Sequence, residues 1–161
     1  MTVTIHWTCE RLEGLSPRAL YQALALRSQV FVLEQNCVYL DPDGLDLSQG
    51  VWHLLGHGED GELRCCARLL APGAKGEQQV LPMIGRVVSA PSARGGGVGR
   101  QLMNQALAEC AQRWPGMAVD INAQLYLRRF YESLGFVVGS PVYDEDGIDH
   151  VDMRRRLVQP T

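Results

Sequence analysis

Apolar and polar positions change period several times along the chain, and each change marks a predicted element. Residues 3–8 alternate in polarity, as a half-buried strand does. A helix is predicted next: Ser16 can cap it, Pro17 suits the first helical position, and Leu20, Leu24 and Phe31 recur at helical spacing. Arg27 and Glu34 follow Leu20 by seven and fourteen residues, which puts both on the inward face, where unpaired charge is costly. Residues 35–49 read as an acidic loop. Strands are predicted at 51–56 and 63–70 around the turn Gly58-Glu59-Asp60-Gly61, and 71–82, with Gly, Lys and Pro, reads as an exposed connection. A strand at 83–89 leads through a glycine-rich turn into a helix that buries Val98, Leu102, Ala106, Cys110 and Trp114 and stops at Pro115-Gly116. Then come a strand at 118–122, a short helix at 125–134, a strand at 136–138 and a last strand at 148–157 with Val151, Met153 and Leu157 on one face. The expected architecture is a mixed α/β sheet flanked by helices, without internal repeats.

Composition narrows the setting. A chain of 161 residues has the usual size of one domain, here residues 1–161, and can bury roughly 70% of its unfolded surface. Hydrophobic residues at 46% and charged ones at 20% suit a globular protein, and no apolar run approaches the ~20 residues that cross a bilayer, so no membrane partner is expected. The start shows no basic segment followed by an apolar one, which favours the cytoplasm. Five cysteines at irregular spacing read as reduced core thiols, with adjacent Cys65 and Cys66 facing opposite sides of a strand. A net charge of −3 argues against a nucleic-acid partner. No metal site is expected: Leu45 breaks a calcium-loop reading of residues 41–46, and Leu54 replaces the glutamate that a zinc-protease helix would place between His53 and His57.

The turn Ser92-Ala93-Arg94-Gly95-Gly96-Gly97-Val98-Gly99-Arg100 carries the first chemical signal. Glycine lets the backbone turn sharply and approach a ligand, and the first amides of the following helix have no partner inside it. Those amides and the helix dipole suit a phosphate or pyrophosphate, and Arg94 and Arg100 add formal charge. A dinucleotide fingerprint starting at Gly95 would need glycine where Arg100 stands, and the Gly-Lys-Ser/Thr of a nucleotide-triphosphate loop does not occur. The spacing of Arg94, Gly97 and Gly99, together with Tyr131, Gly135 and Phe136 downstream, resembles the Gcn5-related N-acetyltransferase (GNAT) family. Residues 26–35, Asp41-Pro42-Asp43-Gly44-Leu45-Asp46 with His53, and residues 142–150 are similar to its ElaA-like branch over nearly the full length. A thinner similarity links the chain to acyl-homoserine-lactone synthases. Seven residues before the tyrosine the wider family often has Asn, and Gln124 stands there.

The resemblance implies the GNAT acyl-CoA N-acyltransferase fold, in which two parallel central strands, here 83–89 and 118–122, splay apart to admit the pantetheine arm. It implies acetyl-CoA as cofactor, held by Arg94, Gly95, Gly96, Gly97, Val98, Gly99 and Arg100, with Val87, Val88, Gln124 and Tyr131 along the arm. It also implies transfer of the acetyl group to a primary amine of a small molecule or peptide by direct attack in a ternary complex, with coenzyme A as product; homodimers are a habit of the family. Acyl transfer needs a proton for the departing thiolate, and Tyr131 is the expected donor, since a thiol near ~8.5 and a tyrosine near ~10 are close enough for general-acid transfer. A backbone N–H at Val87 or Val88, where the family has a bulge, is the expected oxyanion donor. For the general base His53, Glu34 and His150 compete, and a water chain could replace all three. Asp41, Asp43, Asp46, Asp144, Glu145, Asp146 and Asp149 form two acidic loops that would attract a cationic amine if they met at the cofactor mouth. Arg27 and Glu34 either form a buried pair that fixes the first helix or line the acceptor pocket. A non-catalytic acyl-CoA sensor and a lactone-synthase-like acyltransferase are the competing functions; the second would need S-adenosylmethionine, for which no separate signal exists.

Overall fold

The computed structural model describes residues 3–156, so Leu157 lies outside the described residues. One sheet organises the chain. Strand β1 (His6–Glu10) pairs antiparallel with β2 (Val51–His57), β2 with β3 (Leu63–Leu70), and β3 with β4 (Met83–Ser89). Strand β4 then pairs parallel with β5 (Val119–Gln124), and this step needs a crossover, supplied by helix α2 (Val98–Arg113). Strand β5 pairs antiparallel with β8 (Ile148–Arg155), whose far edge takes both β6 (Val137–Val138) and β7 (Tyr143–Glu145).

Helix α1 (Pro17–Arg27) starts as expected: Ser16 Oγ accepts from the Ala19 amide at 3.1 Å and Pro17 occupies the first turn. Its buried stripe is displaced from the predicted one. Ala23, Leu26, Arg27 and Val30 are buried, whereas Leu20, Leu24 and Phe31 are only half-buried. From Ser28 to Glu34 the helix continues with π winding, closed by the Gln35 amide on the Val30 carbonyl at 2.9 Å. Bonds from i to i+5 widen the turn, so successive side chains lag behind a 3.6-residue helix. Glu34 therefore faces solvent, correcting both the inward placement and the pairing with Arg27, which stays inside and pairs with Asp41 and Asp46 instead.

Two cores lie on the two faces of the sheet. On one, Val98, Leu102, Met103, Ala106 and Cys110 of α2 pack on Cys65, Ala67 and Leu69 of β3; on the other, Ala23, Leu26 and Val30 pack on Cys66. The alternation of a strand thus sends Cys65 and Cys66 to opposite cores, and both thiols are free. Truncating a residue as enclosed as Leu102 would cost about 2–5 kcal/mol. Trp114 is half-buried, edge-on to Trp52 with ring centroids 5.7 Å apart.

Three local features shape the functional region. Strands β4 and β5 share one register pair, Met83 with Asp120, and diverge beyond it. In β4 the register against β3 slips, Arg68 facing Gly85 but Cys66 facing Val88, so β4 carries an extra residue. Arg86 within that bulge is left-handed, φ 48°, a conformation that a long side chain rarely adopts. The predicted helix at 125–134 is two pieces, a 3₁₀ turn at Leu125–Leu127 and α3 (Arg128–Glu132), and Gly135 at φ 95° then reverses the chain. The Phe136 amide returns to the Tyr131 carbonyl at 3.1 Å and the two rings meet edge-on, 5.9 Å apart. A Tyr-x-x-x-Gly-Phe spacing follows from that left-handed cap. Residues 143–145, read from sequence as loop, form β7, because Asp146 (φ 54°) and Gly147 (φ 82°) make a two-residue turn that matches strand twist.

Candidate active site

A cavity of about 360 Å³ opens where β4 and β5 part. Its walls come from Gly85, Arg86 and Val87 on β4, Ile121, Asn122 and Gln124 on β5, the end of the π segment, and the β7–β8 turn. Tyr131 of α3 reaches it from the α2 side. This residue is 6% exposed, packs edge-on against Phe130 and Phe136, and its hydroxyl bonds to no described residue. Burial pushes its hydroxyl up to about 12, so Tyr131 remains protonated across the neutral range. The same interior lifts the Cys65, Cys66 and Cys110 thiols from 9.0 to about 12, again chiefly by burial.

Gln124 ends β5 and exchanges amide hydrogen bonds with Gln35 at 3.1 and 3.4 Å, tying the π segment to the splayed strand. His150 on β8 lies opposite Gln124 and lines the cavity. Its Nδ1 is 2.7 Å from the Ile148 carbonyl, which can only accept, so Nδ1 carries a proton; Nε2, 3.4 Å from the Glu145 carboxylate, is the nitrogen through which the neutral ring would accept one.

The glycine turn stands at the open end. Gly95 (φ 87°) and Gly97 (φ 79°) are left-handed, and Gly97 precedes α2 without offering a side-chain acceptor to its first amides. Gly99 has no such backbone demand, and a Cβ there would meet Ser89 Oγ and Phe130 at ordinary distances of 3.8 and 3.9 Å. Packing within the protein does not require glycine at that position. Arg94 forms a forked ion pair with Glu34, its second arm at 3.0 Å, and also reaches the Ser89 carbonyl at 3.4 Å. Arg100 donates to Ser133 Oγ at 2.8 Å and lies over the Phe130 ring. The hydrogen bond from Arg94 holds the Glu34 carboxyl below its usual range.

A buried ion cluster lies beneath the cavity. Arg27 on α1 donates to Asp41 at 2.6 Å and to both oxygens of Asp46 at 2.9 and 3.0 Å; Arg68 on β3 grips Asp43 at 2.6 and 2.9 Å and touches Asp46 at 3.2 Å. Arg86 Nε lies 2.9 Å from Asp41, off the line of a good hydrogen bond, and Tyr39 donates to the same carboxylate at 2.8 Å. Burial by itself would raise the Asp43 and Asp46 carboxyls, but hydrogen bonds from Arg68 and Arg27 outweigh it and hold both low. This corrects the picture of an acidic mouth: Asp41 and Asp46 are interior ion partners, and only Asp43, Glu145 and Asp146 of the seven acids reach the cavity. His53 belongs to the same cluster, Nε2 3.2 Å from the Asp46 carbonyl, and burial lowers its pKa. It does not line the cavity, and neither does Glu34. Gln35, Arg86 and Lys75 are cavity residues that sequence reasoning missed; only the long-range pairing of strands brings them there. No group of three or more His, Cys, Asp or Glu among the described residues is placed to hold a metal.

Comparison with known proteins agrees with this geometry. Residues 53–157 match the acetyltransferase (GNAT) domain family. Protein ElaA of Escherichia coli (strain K12) is 43% identical over 156 residues, 96% of this chain and 99% of that one; the E. coli ElaA crystal structure superposes with a TM-score of 0.86. The structure of an acyl-CoA N-acyltransferase from Pseudomonas aeruginosa is 43% identical with a TM-score of 0.87, covering 94% of this chain and 99% of that chain. The AHL synthase LasI shares the fold, with a TM-score of 0.78, 16% identity and coverage of 96% and 90%.

Proposed function

The chain belongs to the GNAT acetyltransferase family, and we propose that it is an acetyl-CoA-dependent N-acetyltransferase in which a primary amine attacks the thioester directly. The observation that carries this reading is Tyr131: its hydroxyl has no hydrogen-bond partner among the described residues, and the residue lines a cavity between splayed strands that open toward an uncapped helix start. The residues fit the cofactor. The amides of Val98, Gly99 and Arg100, with Gly95, Gly96 and Gly97, would take the pyrophosphate, and Gly99, not demanded by packing, leaves room for its approach. Arg94 and Arg100 would add charge. Val87 and Val88, at and beside the bulge, and Gln124 would border the arm. Bound acetyl-CoA supplies the activated acetyl group.

The chain's own residues supply the proton chemistry. His150 is held by Ile148 with Nε2 free to accept, and takes a proton from the acceptor's nitrogen as the new C–N bond forms; Glu145 steadies the resulting positive charge. Tyr131 would supply the phenolic proton that the departing thiolate needs. A backbone N–H at Val87 or Val88 meets the developing negative oxygen. His53 acts within the ion cluster, and Glu34 acts on Arg94.

Calorimetric titration of acetyl-CoA, with ATP and NAD as controls, tests the reading in wild type and Arg94→Glu. Selective binding that the mutant loses is expected. Tyr131→Phe should retain binding and lose about 10²-fold or more in kcat toward amines. Binding with no turnover of any amine would instead favour an acyl-CoA sensor.

A further inference from the structure

We propose that the acceptor is a zwitterion, an amine that carries an anionic group at its far end; this rests on the transferase reading above. Among the ionisable side chains that line the cavity, Arg68 is taken by Asp43 and Asp46, and Arg86 by Asp41 and Asp43. Three charges remain without an ion partner among the described residues while His150 is the neutral base: Lys75 on the β3–β4 connection, and Glu145 and Asp146 on the β7–β8 hairpin. Lys75 and Asp146 stand on different segments around one cavity, with Glu145 beside Asp146.

Neither residue hangs on a loose loop. The Lys75 amide donates to Gln79 Oε1 at 2.7 Å, and Gln79 is itself held by the Ala71 and Leu81 carbonyls at 2.9 Å each. That fixes the backbone beside the cavity and leaves a flexible stem to carry the ammonium inward. Lys75 is also the chain's single lysine among fifteen Lys and Arg residues. Arginine's planar fork serves the paired sites, as at Arg27 and Arg68, whereas a compact, swinging cation suits a ligand that comes and goes. Asp146 is fixed from the other side, its carbonyl 3.5 Å from Cys37 Sγ. Its carboxylate stands on the same hairpin as His150.

An incoming ammonium is drawn to Asp146, gives one proton up to solvent and attacks as the free amine, its second proton passing to His150 Nε2 as the C–N bond forms, while Lys75 holds the acceptor's anion. A diamine would place its second ammonium beside Lys75 and be repelled, and a plain alkylamine would leave Lys75 unmatched. The cavity accordingly selects for opposite charges at two ends of one small molecule.

The test uses the full chain, saturating acetyl-CoA and a length series of ω-amino carboxylates. Each is compared with the n-alkylamine, the diamine and the aminoalkylphosphonate of the same length. At the best length, an anionic acceptor should show a KM about tenfold below its alkylamine and diamine counterparts, the contribution of one charge-assisted hydrogen bond. The phosphonate arm decides which anion is preferred. Lys75→Glu should reverse the order and make the diamine the best acceptor, a gain that misfolding cannot produce. Equal KM values across the series, or an order unchanged in Lys75→Glu, would overturn the inference and leave the transferase reading intact. Acetyl-CoA binding with no amine turned over would remove both.

Discussion

Two stretches of this chain share one pattern, Asp41-Pro42-Asp43-Gly44-Leu45-Asp46 and Asp144-Glu145-Asp146-Gly147-Ile148-Asp149, and the fold gives them opposite fates. Both place a left-handed glycine at the fourth position, Gly44 at φ 87° and Gly147 at φ 82°. The first stretch is threaded through arginines from three elements, Arg27 on α1, Arg68 on β3 and Arg86 on β4. The second closes a hairpin, where, among the described residues, Asp144 accepts the Gly147 amide alone and Asp146 has no ion partner. Local sequence sets the turn in each case. Distant cations decide whether its carboxylates become interior struts or stay available to a ligand.

The largest expected effect breaks the first stretch. Arg27 is 2% exposed and spans Asp41 and Asp46, so Arg27→Ala leaves buried carboxylates uncompensated and should cost about 3–5 kcal/mol in urea unfolding. The matching change in the second stretch, Asp146→Asn, which removes the charge and keeps a residue suited to φ 54°, should move stability by less than about 0.5 kcal/mol. Comparable losses in the two variants would erase the distinction between strut and free charge.

Acid should separate the stretches next. Asp43 and Asp46 titrate lower in the folded protein than in the unfolded chain, because arginine hydrogen bonds outweigh the burial that would raise them. The unfolded chain therefore takes up protons first as pH falls. The stability this linkage supplies is present above an unfolded carboxyl pKa of about 3.9 and drains away below it. Unfolding midpoints measured from neutral pH downward should begin to ease near about pH 6.5, where the unfolded chain protonates His53 of the same cluster first, and then fall more steeply below about pH 5. A wild type whose midpoint stayed level at pH 3 would show that the cluster contributes no such linkage.

Much of this was legible from the sequence, and what was not has a common cause. Strands 63–70 and 83–89, the capped start of α1, the α2 core and the Tyr131 motif all follow from periodicities, caps or a resemblance contained in one segment. The π winding after Arg27 was not, since it changes side-chain phase without any breaker residue, and Glu34 was misplaced as a result. The hairpin carried its signal in Asp146-Gly147, but acidic flanks of low strand propensity obscured it. The two acidic stretches could not be told apart because their partners lie elsewhere: Arg68 stands 25 residues after Asp43 and Arg86 45 residues after Asp41. The same holds for the base. His53 and His150 are similar in sequence terms, and only strand pairing puts His150 beside Gln124 in the cavity.

Kinetics sharpens the comparison on the side of the second stretch. Glu145 is an exposed carboxylate with one contact of consequence, His150 Nε2 at 3.4 Å. Glu145→Gln should lower kcat about tenfold while the KM for acetyl-CoA and the unfolding midpoint stay unchanged. A lost midpoint with unchanged kcat would make Glu145 a strut like Asp46.

The smallest expected effect concerns a pair that belongs to neither class. Arg94 and Glu34 are both well exposed, and they meet at the mouth where a pyrophosphate would arrive. An interior pair such as Arg27–Asp46 has no competitor, but here the carboxylate and an incoming phosphate seek the same guanidinium. Glu34→Gln removes the competing charge without shortening the side chain. Acetyl-CoA should then bind more tightly by less than about fivefold at low salt, and the gain should vanish at high salt, where exposed charges are screened. The unfolding midpoint should not move, since an exposed pair adds little to stability. Weaker binding in Glu34→Gln would mean that Glu34 positions Arg94 for the phosphate instead of occupying it, and would move this pair to the side of the struts.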